Sequence, residues 1–109
     1  MYKKDRSLGI FDLTSGRQGG SAFIELSGEL DYARVPEVDH EIRAAEKSGA
    51  SSIVISLQYL TYIDSSGLRL LLEAHSRLGE DPERLRFRRS EHPAVVEILE
   101  ATRTADILY

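Results

Sequence analysis

The chain of 109 residues contains no cysteine. Disulfides, thiolate metal sites and a thiol nucleophile are thereby excluded. It also lacks a basic excess, since 14 Lys and Arg stand against 18 Asp and Glu for a formal net charge of −4. Phosphate backbones call for a basic face, so nucleic acid is not the expected partner. No apolar stretch long enough for a signal peptide or membrane span follows the basic start Met1–Arg6, and a cytoplasmic protein is expected. Catalytic signatures are missing too. There is no G-x-S-x-G elbow and no G-x-x-x-x-G-K phosphate loop. His40 and His75 fall mid-helix and His92 at a helix start, without metal-ligand spacing. Neither enzyme chemistry nor a cofactor is expected.

What is present is the balance of an ordinary globular protein, 41% hydrophobic and 29% charged. One domain over residues 1–109 is expected, with the polar residues 1–7 frayed. Leu8, Ile10, Phe11 and Leu13 form a weak strand, and Thr14–Gly20 is a loop by composition. Ser21–Ser27 alternates apolar and polar, a half-buried strand that pairs with the first as a hairpin. Gly28-Glu29-Leu30-Asp31 follows as a turn, its Asp able to fold back on the main chain. Val35, Val38, Ile42 and Ala45 mark a helix with Pro36 in its first turn and Gly49 just beyond its end.

Ile53–Leu57 is an apolar run broken only by Ser56, a buried strand. Leu68, Leu71, Leu72, His75 and Leu78 then recur at helical spacing, with Glu73 and Arg77 placed for an outer-face ion pair. Gly79-Glu80-Asp81-Pro82 stops that helix. Leu85 and Phe87 alternate with arginines in another strand. Pro93 opens a last helix carrying Val95, Ile98, Leu99 and Thr102, and Asp106–Tyr109 is an apolar tail that docks.

The order β-β-α-β-α-β-α with alternating strands predicts an α/β fold, a mixed β-sheet with helices mainly on one face. Glu25, Ser56, Arg86 and Arg88 fall on the open face, with Glu25 a cross-strand partner for the arginines. The centre of the chain is Asp64-Ser65-Ser66-Gly67, between a strand's C-terminal end and a helix's N-terminus. It presents two hydroxyls beside unpaired helix N–H groups, which favour negative charge. Ser and Asp are also ordinary N-cap residues, so a capping hydroxyl explains one serine without any function.

Leu26-Ser27-Gly28-Glu29-Leu30-Asp31, followed by Ile53-Val54-Ile55-Ser56-Leu57 and Leu60-Thr61-Tyr62-Ile63-Asp64-Ser65-Ser66-Gly67-Leu68, resembles the STAS family, named for sulphate transporters and anti-sigma factor antagonists. Pro93-Ala94-Val95 fits as well, and the likeness spans about residues 8–108. The resemblance implies an anti-sigma factor antagonist. Ser65 would be phosphorylated by an anti-sigma factor that is itself a serine kinase, and a phosphatase would reset it. Asp31, Asp64, Ser65, Ser66 and Gly67 would form the partner-binding rim. The unmodified form would hold the kinase and free the sigma factor, and the phosphorylated form would let go.

Three positions depart from the family pattern. Ser56 stands where some members carry Asp or Asn. Arg69 stands where many carry Gly, placed to pair with a phosphate on Ser65, to meet an acidic group of the partner, or to stay solvated. Thr102-Arg103 replaces a Thr-Gly pair. Other uses of the same domain are a scaffold subunit in a larger signalling assembly of the stressosome kind, or an accessory subunit of a membrane transport complex. A second copy could also dock on the open sheet face, giving a homodimer. The absence of an extra domain or span favours the antagonist.

Overall fold

The computed structural model describes residues 10–78, 81 and 83–109. The expectations for residues 1–7, Leu8, Gly79, Glu80 and Pro82 fall outside them. The elements are β1 (Phe11–Gln18), β2 (Ser21–Leu30), α1 (Val35–Lys47), β3 (Ser52–Ile63), α2 (Ser65–Leu78), β4 (Leu85–Arg88), α3 (Pro93–Ala101) and α4 (Thr104–Leu108). The sheet order is β1-β2-β3-β4, with β1 antiparallel to β2 and the other two pairs parallel. Two successive crossovers, β2-α1-β3 and β3-α2-β4, step the same way across the sheet. With the usual right hand, both helices land on one face. That face holds the core, with Ile24, Leu26, Leu30, Ile53, Ile55, Leu57, Leu60 and Ile63 all essentially inaccessible to water.

Strand lengths differ from the sequence expectation. Thr14–Gln18 is not loop but the second half of β1, where Ser15 pairs with Ile24 and Arg17 with Ala22. As an edge strand facing water, it is held by ladder hydrogen bonds that tolerate polar side chains. Only Gly19-Gly20 turns, Gly19 at φ +63°. Gly28–Leu30 is likewise strand rather than turn. Gly28 lies at φ +89°, and a Cβ there would come within 2.0 Å of the Ile10 carbonyl oxygen. β3 runs on past Leu57 to Ile63, because register shifts between Glu25 and Ser27 and between Gly28 and Glu29 absorb extra residues. Leu60 and Ile63 thus stay in the core while Tyr59 and Tyr62 are exposed. A bulged strand breaks the period-2 signal, which hid this half.

The open face carries Glu25, Ser56 and Arg88 in one row. β3 intervenes between Glu25 and Arg88, and no ion pair joins them among the described residues. Ser56 is buried within that row, and its hydroxyl accepts from the Gln58 amide.

The buried stripe of α2 is Gly67, Leu70, Leu71 and Ala74, the expected spacing moved one residue back, with Leu68, Leu72 and Leu78 at its border. Small residues at both ends of the stripe let the helix approach the sheet closely. Arg77 does not pair with Glu73. It reaches Glu46 of α1, with Nη2 2.7 Å and Nε 3.1 Å from Oε1. This forked contact is better than one along an exposed helix face, and the hydrogen bond to Glu46 raises the Arg77 pKa.

The tail docks as expected, in the form of α4 with Leu108 buried. Tyr109 lies under the Arg89 guanidinium, 4.4 Å from its ring centre, and its hydroxyl accepts from the Ser90 amide at 3.4 Å. Burial pushes the phenol pKa up, against the smaller pulls of that hydrogen bond and Arg89.

Candidate functional site

The site grows from the C-terminal ends of β2 and β3. Leu30 and Ile63 are register partners, and the Asp64 amide donates to the Leu30 carbonyl at 3.1 Å, so the two loops leave the sheet side by side. Asp64 then joins them. Its Oδ1 accepts from the Gly67 amide at 2.9 Å, the N-cap bond of α2, and its Oδ2 accepts from the Tyr32 amide at 3.1 Å. Asp31 folds back as the sequence suggested, its Oδ1 accepting from the Ala33 amide at 3.1 Å. One carboxylate therefore fixes the start of the helix and the neighbouring loop together.

This assignment corrects the capping expectation. Asp64, not a serine, caps α2. Neither the Ser65 nor the Ser66 hydroxyl has a hydrogen-bond partner among the described residues. Ser65 is exposed and Ser66 half-buried. Gly67 is buried beneath them, and a Cβ on it would meet Ile63 Cγ1 at 2.8 Å and the Leu30 carbonyl oxygen at 3.1 Å. The glycine lets the helix start sit down on the sheet end, which brings Ser65 to the rim.

Beside the serines is a surface hollow of about 340 Å³, lined among others by Tyr32, Val35, Ser65, Ser66, Arg69 and Glu73. Of the expected residues Ser65, Ser66 and Arg69 line it, Asp64 and the buried Gly67 flank the two serines in the chain, and Asp31 precedes the lining residue Tyr32. Two further residues border the hollow that the sequence reading did not assign to the site. Tyr32, 75% exposed, follows Asp31 directly, and Glu73 stands one turn beyond Arg69. The helical spacing Ser65, Arg69, Glu73 was a usable signal for the second. Chemically, the rim offers an accessible hydroxyl, a carboxylate at each loop and the Arg69 guanidinium, and among the described residues no base is hydrogen-bonded to the hydroxyl.

The family model described as "Mlab, STAS domain" matches residues 13–109. The chain belongs to the STAS-domain family. It is similar to the anti-sigma-B factor antagonist of Staphylococcus aureus, strain NCTC 8325 / PS 47, 29% identical over 62 residues. That alignment spans 57% of this chain and only 57% of the relative's length. An anti-sigma factor antagonist from Mycobacterium paratuberculosis has the same fold, with a TM-score of 0.76 at 21% identity over 89% of this chain and 81% of that one. SpoIIAA is similar in its unphosphorylated form, with a TM-score of 0.66 at 24% identity over 92% of this chain and 86% of that one. Its phosphorylated form, from Bacillus, gives 0.64 at 22% over 92% and 89%. These solved structures support the fold. No described helix is long and apolar enough to cross a membrane.

Proposed function

We propose that the chain is an anti-sigma factor antagonist whose binding is switched at Ser65. The observation that carries this reading is the exposed, unbonded Ser65 hydroxyl, left free because Asp64 performs the capping. Relatives named as antagonists, and one solved in a phosphorylated form, favour it. In this reading an anti-sigma factor kinase supplies ATP and the catalytic base. Ser65 Oγ takes the γ-phosphoryl group, ADP leaves and the hydroxyl proton is released. The chain is substrate and ligand, not catalyst. Asp31, Asp64, Ser65, Ser66, Gly67 and Arg69 form its docking rim.

The switch is electrostatic. Phosphate adds about −1.5 to −2 charges at pH 7. The N-terminus of α2 tolerates them, so the fold survives. A partner surface matched to a neutral hydroxyl beside Asp64 meets repulsion and desolvation instead. A 100-fold loss of affinity requires only about 2.8 kcal/mol. The unmodified form holds the kinase and frees the sigma factor, phosphorylation releases the kinase, and a phosphatase resets the chain.

The test incubates the chain with ATP and each candidate anti-sigma kinase of its own genome, followed by intact mass and peptide mapping. One phosphate on Ser65, absent from Ser65→Ala and retained in Ser66→Ala, is expected. A phosphate on Ser66 alone would assign the wrong hydroxyl. No phosphate together with incorporation into a larger complex would replace the antagonist by the scaffold or accessory-subunit reading.

A further inference from the structure

We infer that Arg69 is the built-in counter-ion of a phosphate on Ser65, so that modification withdraws a cation from the docking rim as well as adding an anion. The inference rests on the reading of Ser65 as the phosphate acceptor. Arg69 borders the same hollow as Ser65 and Ser66 and is exposed. The described ion pairs engage Arg34, Arg43 and Arg77, and Arg69 has neither an ion pair nor a hydrogen bond to any described residue.

Two acidic positions compete for it, each one helical turn away. Glu73 lies four residues on and also borders the hollow, yet no ion pair forms between them. Ser65 lies four residues back. Side chains on a helix lean toward its N-terminus, and an acid four residues before a base pairs better than one four residues after. A phosphate on Ser65 therefore has the favoured orientation and carries nearly twice the charge of Glu73. The planar guanidinium can take two of its oxygens at once. Besides Glu73, the charges next in sequence to the lining residues Tyr32, Val35, Pro36 and Ser65 are Asp31, Asp64 and the Arg34–Glu37 pair at the start of α1, while Asp39, Glu41, Arg43, Glu46 and Lys47 follow farther along α1 and Arg77 farther along α2. Asp31 and Asp64 raise the phosphate's second pKa, and Arg69 lowers it.

The consequence is a two-part switch. Before modification, Arg69 points its charge at a docking partner's acidic groups. After it, the arginine turns inward, and the rim presents a partly neutralised phosphate with no free cation.

The test places phosphoserine at position 65 during translation, so no kinase is needed, and follows the phosphate by ³¹P NMR through a pH titration. From exposed i,i+4 ion-pair energies, the second pKa of the otherwise unchanged chain should lie about 0.3 pH unit below that of Arg69→Gln. Arg69→Lys should keep at least half of the shift, and 0.5 M salt should shrink it. Equal values for the arginine and glutamine forms, or complete loss of the shift in Arg69→Lys, would overturn the pairing. Failure of every kinase to modify Ser65 overturns the proposed function instead and leaves this titration unaffected.

Discussion

Replacing Asp64 with alanine removes two bonds at once, and the structure sets the size of the loss. The Gly67 amide would lose its cap, worth about 1 kcal/mol. The Tyr32 amide would lose a charged acceptor, but Tyr32 is 75% exposed, so water replaces most of that bond and about 0.5 kcal/mol remains. Removing a negative charge from the start of α2 takes roughly 0.3 kcal/mol more. The total of about 1.8 kcal/mol should lower Tm by roughly 6–12 °C for a chain of this size. Asp64→Asn keeps an acceptor for the Gly67 amide but sets an NH2 donor against the Tyr32 amide, so it loses the charge and that second bond, about 0.8 kcal/mol. Urea unfolding with unchanged m-values, alongside thermal melts followed by circular dichroism, measures both. An alanine variant as stable as the parent would refute the capping assignment. An asparagine variant as weak as the alanine one would show that the charge and the Tyr32 bond, not the cap, hold the loops together.

Gly67→Ala gains helix propensity but forces a methyl to 2.8 Å from Ile63, so a net destabilisation of about 1–2 kcal/mol is expected in urea melts. Arg103 sits at φ +60°, a conformation that disfavours a Cβ, so Arg103→Gly should raise stability by about 0.5–1 kcal/mol, read as an upward shift of the urea midpoint. Tyr109 has a raised pKa in the fold, mainly from burial. Its contribution is therefore fully present below about pH 10, the unfolded value, and is lost as pH rises through the folded value. Stability measured from pH 9 to 11 should fall more steeply for the parent than for Tyr109→Phe, and parallel curves would contradict the burial effect.

The family-level fold was legible because three signals agreed. Alternation marked β2 and β4, helical spacing marked α1 and α3, and Asp64-Ser65-Ser66-Gly67 marked the join of β3 and α2. The misreadings share a physical cause, which is that tertiary pairing overrides local composition. Thr14–Gln18 reads as loop but is held as an edge strand by β2. Tyr59–Ile63 follows a bulge, which destroys the period-2 pattern. Arg77 found a better carboxylate on another helix than on its own. At the site, the residue types and their proximity could be read in advance. That Asp64 takes the cap and leaves both hydroxyls without a partner among the described residues could not, because Ser and Asp are near-equal cap formers.

The most direct measurement of the proposed switch is the affinity of the anti-sigma kinase proposed as its partner for the unmodified chain, Ser65→Asp and Ser66→Asp, by titration calorimetry on proteins shown to be folded. The unmodified chain should bind, and Ser65→Asp should bind at least tenfold more weakly, a difference of about 1.4 kcal/mol or more. Ser66→Asp, at a rim position that is half-buried where Ser65 is exposed, should lose less. Equal affinity for the unmodified chain and Ser65→Asp would contradict a charge switch at this rim.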